Sequence, residues 1–142
     1  GFSIDTTGTA MTGLKFPDPG YFVTFSGPPG AEQLLHVIDY EYKDANVSAL
    51  VTQYFGQKWY RPLIIGKPEK LPLAGTSRDA VSFQTGEGRT KSAWCLALIP
   101  GVAGHGLAVA FGHSVGPDDA PGCAVVAQHA QFEPLLRTLT LL

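Results

Sequence analysis

Charge is scarce in this chain and belongs to neither sign. Of 142 residues, 15% are charged, with 10 Lys and Arg against 12 Asp and Glu and a formal net charge of −2. Without clustered basic residues there is no electrostatic footprint for a phosphate backbone or an anionic bilayer, so nucleic acid and anionic membrane are not expected as partners. Long apolar runs are missing as well. No stretch approaches the ~20 residues of a membrane-spanning helix, so no transmembrane segment is expected in the chain. No leader-like segment stands at the start. The first residue is Gly1 and not Met, which makes residues 1–142 read as a single domain processed or excised from a longer precursor. Internal repeats and low-complexity tracts are also lacking.

Metal-ligand spacings are missing too. There is no Cys-x-x-Cys, and His36, His105, His113 and His129 include no pair at i, i+2 or i+4. His105 and His113 fall at opposite ends of one expected strand, more than about 20 Å apart at about 3.3 Å per residue, too far to share an ion. No metal or other cofactor is expected. The only cysteines, Cys95 and Cys123, form an even pair. Bonded, they would close a loop of about 29 residues, worth about 3–4 kcal/mol on the chain-entropy estimate, and would point to an oxidising compartment. Unbonded, they would be two small buried core residues.

What the chain does have is a hydrophobic content of 44%, ample for a packed core in one domain. The stretch from Arg78 to Gly112 organises the rest. Ala93 to Ile99 is continuously apolar and stops at Pro100-Gly101, the pattern of a strand covered on both faces. Before it, Val81 and Phe83 alternate with Ser82 and Gln84, and Gly86 and Gly88 supply the positive φ of a tight hairpin. After it, Leu107, Val109 and Phe111 alternate with small residues until Gly112. This predicts a three-stranded antiparallel meander in the middle of a sheet.

The flanking segments add further elements. Phe2–Asp5 and Tyr21–Ser26 have strand composition, separated by a Thr-, Gly- and Pro-rich connection over 6–20. In Leu35–Tyr42 two sets of residues alternate, and the set with Ile38, Tyr40 and Tyr42 is expected to face inward. Asp44 is predicted to cap a helix whose stripe is Val47, Leu50, Val51 and Tyr54 and which ends at Gly56 in the C′ position. Leu63-Ile64-Ile65 reads as an edge strand limited by three prolines between Lys58 and Leu73. Cys123–Val126 fits either strand or helix. Phe132, Leu135, Leu136 and Leu139 predict a short closing helix. Together these give an α+β fold, an antiparallel β-sheet with helices packed against it, in the manner of an α/β/α-type sandwich.

The order of elements resembles the PsbP/Mog1-like fold, a group that includes small bacterial lipoproteins and secretion-linked proteins. The residues that carry the likeness are the opening GFSID, the strand–glycine–strand AVSFQTGEGRTKSAWCLALIP, the strand GLAVAFG and the closing FEPLLRTLTLL. The segment TTGTAMTGLKFPDPG departs from the family's Pro-x-x-Trp after the first strand. The resemblance implies a binding or assembly role without chemistry of its own, and it assigns no site residues.

Three motifs invite chemistry. Gly112-His113-Ser114-Val115-Gly116 is a literal G-x-S-x-G and is similar to the nucleophile elbow of α/β-hydrolases, with His129 and Asp118 or Asp119 in the required order behind it. An elbow serine must be followed by a helix, however, whereas Pro117 to Gly122 follows here, and antiparallel hairpins precede it. The segment therefore reads as a turn. Residues 86–92 lack the spacing of a phosphate loop and read as a hairpin turn, and residues 101–106 likewise lie between strands. Trp59, Tyr60 and Arg61 form an aromatic–basic cluster just after the first helix. Such residues are enriched at binding hot spots, although Trp59 would serve equally to plug the corner between helix and strand. Asn46-Val47-Ser48 matches a glycosylation sequon inside the helical stripe.

The expectation is a non-catalytic domain that binds a protein or peptide partner, with Trp59, Tyr60 and Arg61 as its patch, placed in the periplasm or outside the cell. Two alternatives stand beside it: a small serine hydrolase centred on Ser114, and a small-molecule binder with a pocket between sheet and helix.

Overall fold

An apolar run buried on two faces needs something laid against each of them, and the strand Ser92–Pro100 has both. The computed structural model describes residues 3–5, 22–26, 34–41, 46–56, 60–73, 75–88, 91–100, 105–114 and 122–128. Their strands are β1 (Ser3–Asp5), β2 (Phe22–Ser26), β3 (Leu34–Glu41), β4 (Leu63–Leu73), β5 (Thr76–Thr85), β6 (Ser92–Pro100) and β7 (His105–Ser114). Two helices accompany them, α1 (Val47–Phe55) and α2 (Cys123–Ala127). The strands form one sheet in the order β1-β2-β3-β7-β6-β5-β4, with every neighbouring pair antiparallel. This is a mixed α+β fold, with β5, β6 and β7 as the expected meander at its centre.

Every residue of β6 from Ala93 to Ile99 is buried, and alternation divides them between two layers. Trp94, Leu96 and Leu98 join the cluster under α1. Cys95, Ala97 and Ile99 join the cluster under α2 on the other face. The stripe Val47, Leu50, Val51 and Tyr54 is buried as its spacing predicts, and Phe55 extends it. At α2, the segment with two readings is a helix, and the disulfide Cys95–Cys123 ties its first residue to β6 across 28 residues of sequence. Gly122 has no side chain with which to cap that helix. Glu69 of β4 serves instead, its Oε1 accepting from Cys123 N at 3.1 Å.

Several boundaries differ from the sequence reading, each for an identifiable reason. The cap of α1 is Asn46 and not Asp44, which lies outside the described residues. Asn46 Oδ1 accepts from Ala49 N at 2.8 Å, the bond an N-cap side chain makes to the third helical amide. The same bond occupies the sequon asparagine. Gly56 ends the helix without left-handed geometry, at φ −76°. Glycine is needed there for close approach, because a Cβ would stand 2.3 Å from the Thr52 carbonyl oxygen. The expected edge strand Leu63–Ile65 is the start of an eleven-residue strand. Pro68 and Pro72 lie inside it after a register shift between Ile65 and Pro68. An edge strand has one side with no ladder to interrupt, which is why it accommodates them. Gly86 and Gly88 have the positive φ expected of the hairpin, 71° and 57°.

Gly112 does not close β7. The strand continues to Ser114, and Gly112 pairs directly with Trp94 on β6. A Cβ on Gly112 would come within 2.3 Å of the indole ring. Glycine therefore makes room for a tryptophan laid flat across the neighbouring strand. The ring is fixed from its other edge by the buried hydrogen bond from Trp94 Nε1 to Thr85 Oγ1, 2.9 Å. The expected closing helix around Phe132 to Leu139 and the connection over 6–20 fall outside the described residues.

Two outcomes follow. Gly112→Ala is expected to lower stability by about 1–3 kcal/mol through overpacking against the indole, read from urea unfolding midpoints; an unchanged midpoint would mean that the ring does not lie there. Denatured, unreduced protein should show no reactive thiol. In the native state both cysteines are fully buried, so reductant should reach them only on the timescale of unfolding, which is checked by timed alkylation with a reductant present.

Candidate functional site

The chain entering β4 is held by a backbone amide from the end of β5 and by one of its own side chains. Gly86 N, at the end of β5, donates to Tyr60 O and Pro62 O, both at 3.1 Å. Tyr60 is half-buried and packs its ring 5.1 Å from Phe55. Arg61 is exposed, and its Nε and Nη2 donate to Gly56 O at 3.2 and 3.1 Å. A guanidinium on the last carbonyls of a helix satisfies acceptors that the helix leaves open and sits at the negative end of its dipole. Tyr60 and Arg61 thus come together on one stretch of chain with fixed positions. Trp59, the third member of the expected cluster, lies outside the described residues.

Immediately after this stretch comes the start of β4, the last strand of the sheet. Leu63 and Ile65 are half-buried and pack against the cluster under α1. Ile64 points to the other face and is 57% exposed, one of only two large apolar side chains so exposed among the described residues. Farther along β4, Lys70 Nζ forms an ion pair with Asp79 Oδ1 across the β4–β5 pair. Both partners are well exposed, so the pair contributes little to stability.

Of the residues that would support hydrolysis, the structure describes only the Gly112–Ser114 segment. Gly112, His113 and Ser114 are the end of β7, paired with Trp94, Ala93 and Ser92 of β6. The segment expected to be a turn is strand as far as Ser114, and the residues after it up to 121 lie outside the described residues. Asp118, Asp119 and His129 lie outside the described residues. His105 and His113 stand at the two ends of β7, opposite Glu41 and Ala93. Among the described residues no three His, Cys, Asp or Glu side chains come together to hold a metal ion, and no helix is long and apolar enough to cross a membrane.

An aromatic cluster escaped the sequence reading. His36 of β3 lies with its ring 5.6 Å from Trp94 and 6.1 Å from Phe55. Phe83 stacks at 8° to Trp94 and lies 4.7 Å from Phe55. Residues from β3, the end of α1 and the approach to β4, β5 and β6 therefore meet through His36, Phe55, Tyr60, Phe83 and Trp94. The alternation of β3 puts His36 in the set with Ile38 and Tyr40, and that was the available signal. Burial pushes the imidazole pKa down from 6.5 to about 4, because the charged form would sit among hydrocarbon and ring faces. The group is a neutral ring at physiological pH and packs as an aromatic.

No protein-family model matches the chain, and no curated protein matches it at significant similarity.

The low pKa of His36 makes stability depend on pH. Between pH 6.5 and about 4 the unfolded chain binds a proton that the folded chain refuses, so stability is complete above 6.5 and falls as the pH drops through that window. The total loss is on the order of 3 kcal/mol. Urea titrations of wild type and His36→Phe at steps from pH 7.5 to 4 check this. The gap between the two should move in favour of His36→Phe as the pH falls; a gap that does not change with pH would contradict the buried placement.

Proposed function

We propose that this chain is a non-catalytic domain that binds a protein or peptide partner, and that the surface it uses is the segment Trp59–Arg61 with the start of β4. The observation that carries the reading is Ile64. A large apolar side chain stands exposed on the outermost strand, beside an aromatic and a basic residue that are already fixed in position. Preorganised aromatic and arginine side chains around an apolar anchor are the composition of a binding hot spot.

The wider assignment has separate support. An antiparallel sheet with one helix on each face of β6 favours an α/β/α sandwich of the PsbP/Mog1 kind, and with it a binding or assembly role. The bonded cysteines favour the periplasm or the cell exterior, where disulfides form and persist. For the serine-hydrolase alternative, an elbow needs a strand leading into a helix. The pairing of Ser114 with Ser92 in an antiparallel ladder favours the binding reading instead.

An unbiased peptide-display selection on the intact chain tests this. Enriched peptides should bind wild type and lose at least tenfold in affinity to the Trp59→Ala/Arg61→Ala variant, with its fold verified by circular dichroism because Arg61 also caps α1. Binding indifferent to those changes would remove the patch. Fluorophosphonate labelling that disappears in Ser114→Ala would overturn the non-catalytic assignment altogether.

A further inference from the structure

We infer that the partner enters as a short extended segment that adds a further strand along Leu63–Ile65 of β4 and carries acidic residues at both ends. The inference rests on the binding role proposed above and gives it a mode and a chemistry. Its basis is the hydrogen-bond phase of the β4–β5 ladder. Gly86 N donates to Pro62 O, which makes 62 and 86 a hydrogen-bonded pair. An antiparallel ladder alternates bonded and non-bonded pairs. Leu63↔Thr85 and Ile65↔Phe83 are then non-bonded pairs, and Ile64↔Gln84 is the bonded pair between them. Leu63 and Ile65 consequently turn their N–H and C=O groups away from β5, toward a side where no described strand lies. Two donors and two acceptors on alternate residues are the template that an incoming strand uses.

The same edge is blunted a few residues farther on. The register shifts between Ile65 and Pro68, and Pro68 and Pro72 have no amide to offer. Lys67 and Lys70 are exposed beside them. A bulge, prolines and lysines are the devices by which edge strands resist pairing. Addition is therefore confined to Leu63–Ile65, and the occupant is short.

Its side chains are specified as well. Ile64, 57% exposed, needs an apolar residue on the same face of the added strand. Arg61 and Lys67 bracket the open stretch, both exposed. Arg61 is bonded to a neutral carbonyl, and Lys67 makes no ion pair among the described residues. Carboxylates at either end of the segment complement both cations.

The test uses the intact 15N-labelled chain and three pools of eight-residue peptides, acetylated and amidated. Each has an alternating apolar centre, flanked by Glu, Gln or Lys. The Glu pool should bind at least tenfold more tightly than the Lys pool and slow amide exchange at Leu63 and Ile65. It should lose at least tenfold in affinity to Ile64→Asp and little to Ile64→Val. Failure of all three pools, equal binding of the Glu and Lys pools, or a footprint away from Leu63–Ile65 would each overturn the inference. If the pools fail while display still yields peptides dependent on Trp59 and Arg61, the strand-addition mode is wrong and the binding role stands. If both fail, the binding role falls with it.

Discussion

The contact between Trp94 and Gly112 sets the centre of the sheet. Across the β6–β7 pair the indole occupies the space that any side chain larger than hydrogen would fill. That placement lets one ring touch three others, His36 on β3, Phe55 on α1 and Phe83 on β5. The aromatic layer so formed gives α1 its seat. One residue along β6 the side chain turns to the opposite face, where Cys95 holds α2. A single strand thus anchors both helices. Everything outward from it is paired until β4, whose far side meets no described strand.

That arrangement explains why the candidate surface lies where it does. Where the chain enters β4 it is tied down twice, by Arg61 on the helix end and by Gly86 on two carbonyls. A segment tied this firmly can present backbone and side chains to a partner without ordering them first, so less affinity is lost on association. The opening is narrow because the bulge and prolines beyond Ile65 protect the rest of the edge. Exposure and restraint together describe a surface suited to one short strand and resistant to sheet-to-sheet aggregation.

Much of this was legible in the sequence, and the exceptions have common causes. Ala93–Ile99 announced a doubly covered strand because seven apolar residues in a row leave no wet face. The α1 stripe was readable because 3.6-residue spacing is local. Gly112 was read as a stop, since glycine in a strand interior is unfavourable unless a large ring lies opposite, and that ring is 18 residues away on another strand. The prolines were expected to limit the pairing of an edge strand, yet Pro68 and Pro72 both keep partners on β5, as an outer strand with one free side allows. Asp44 was chosen as the cap, whereas Asn46, an equally good capping residue two positions on, is the one that bonds the helix. His36 looked like one polar residue in an alternating row, and only tertiary packing shows it enclosed by aromatics. The cysteine pairing stayed open because two thiols in sequence specify no distance.

Amide hydrogen exchange of the unbound chain, followed residue by residue by NMR, tests the central claim most directly. The open-edge account requires Ile64, whose amide is bonded to β5, to exchange clearly more slowly than Leu63 and Ile65 on either side of it, and Leu96 and Ala97 of β6 to be the most protected of all. Protection at Leu63 and Ile65 equal to that of β6 would mean that the outer side of β4 is already occupied, and the account would be contradicted.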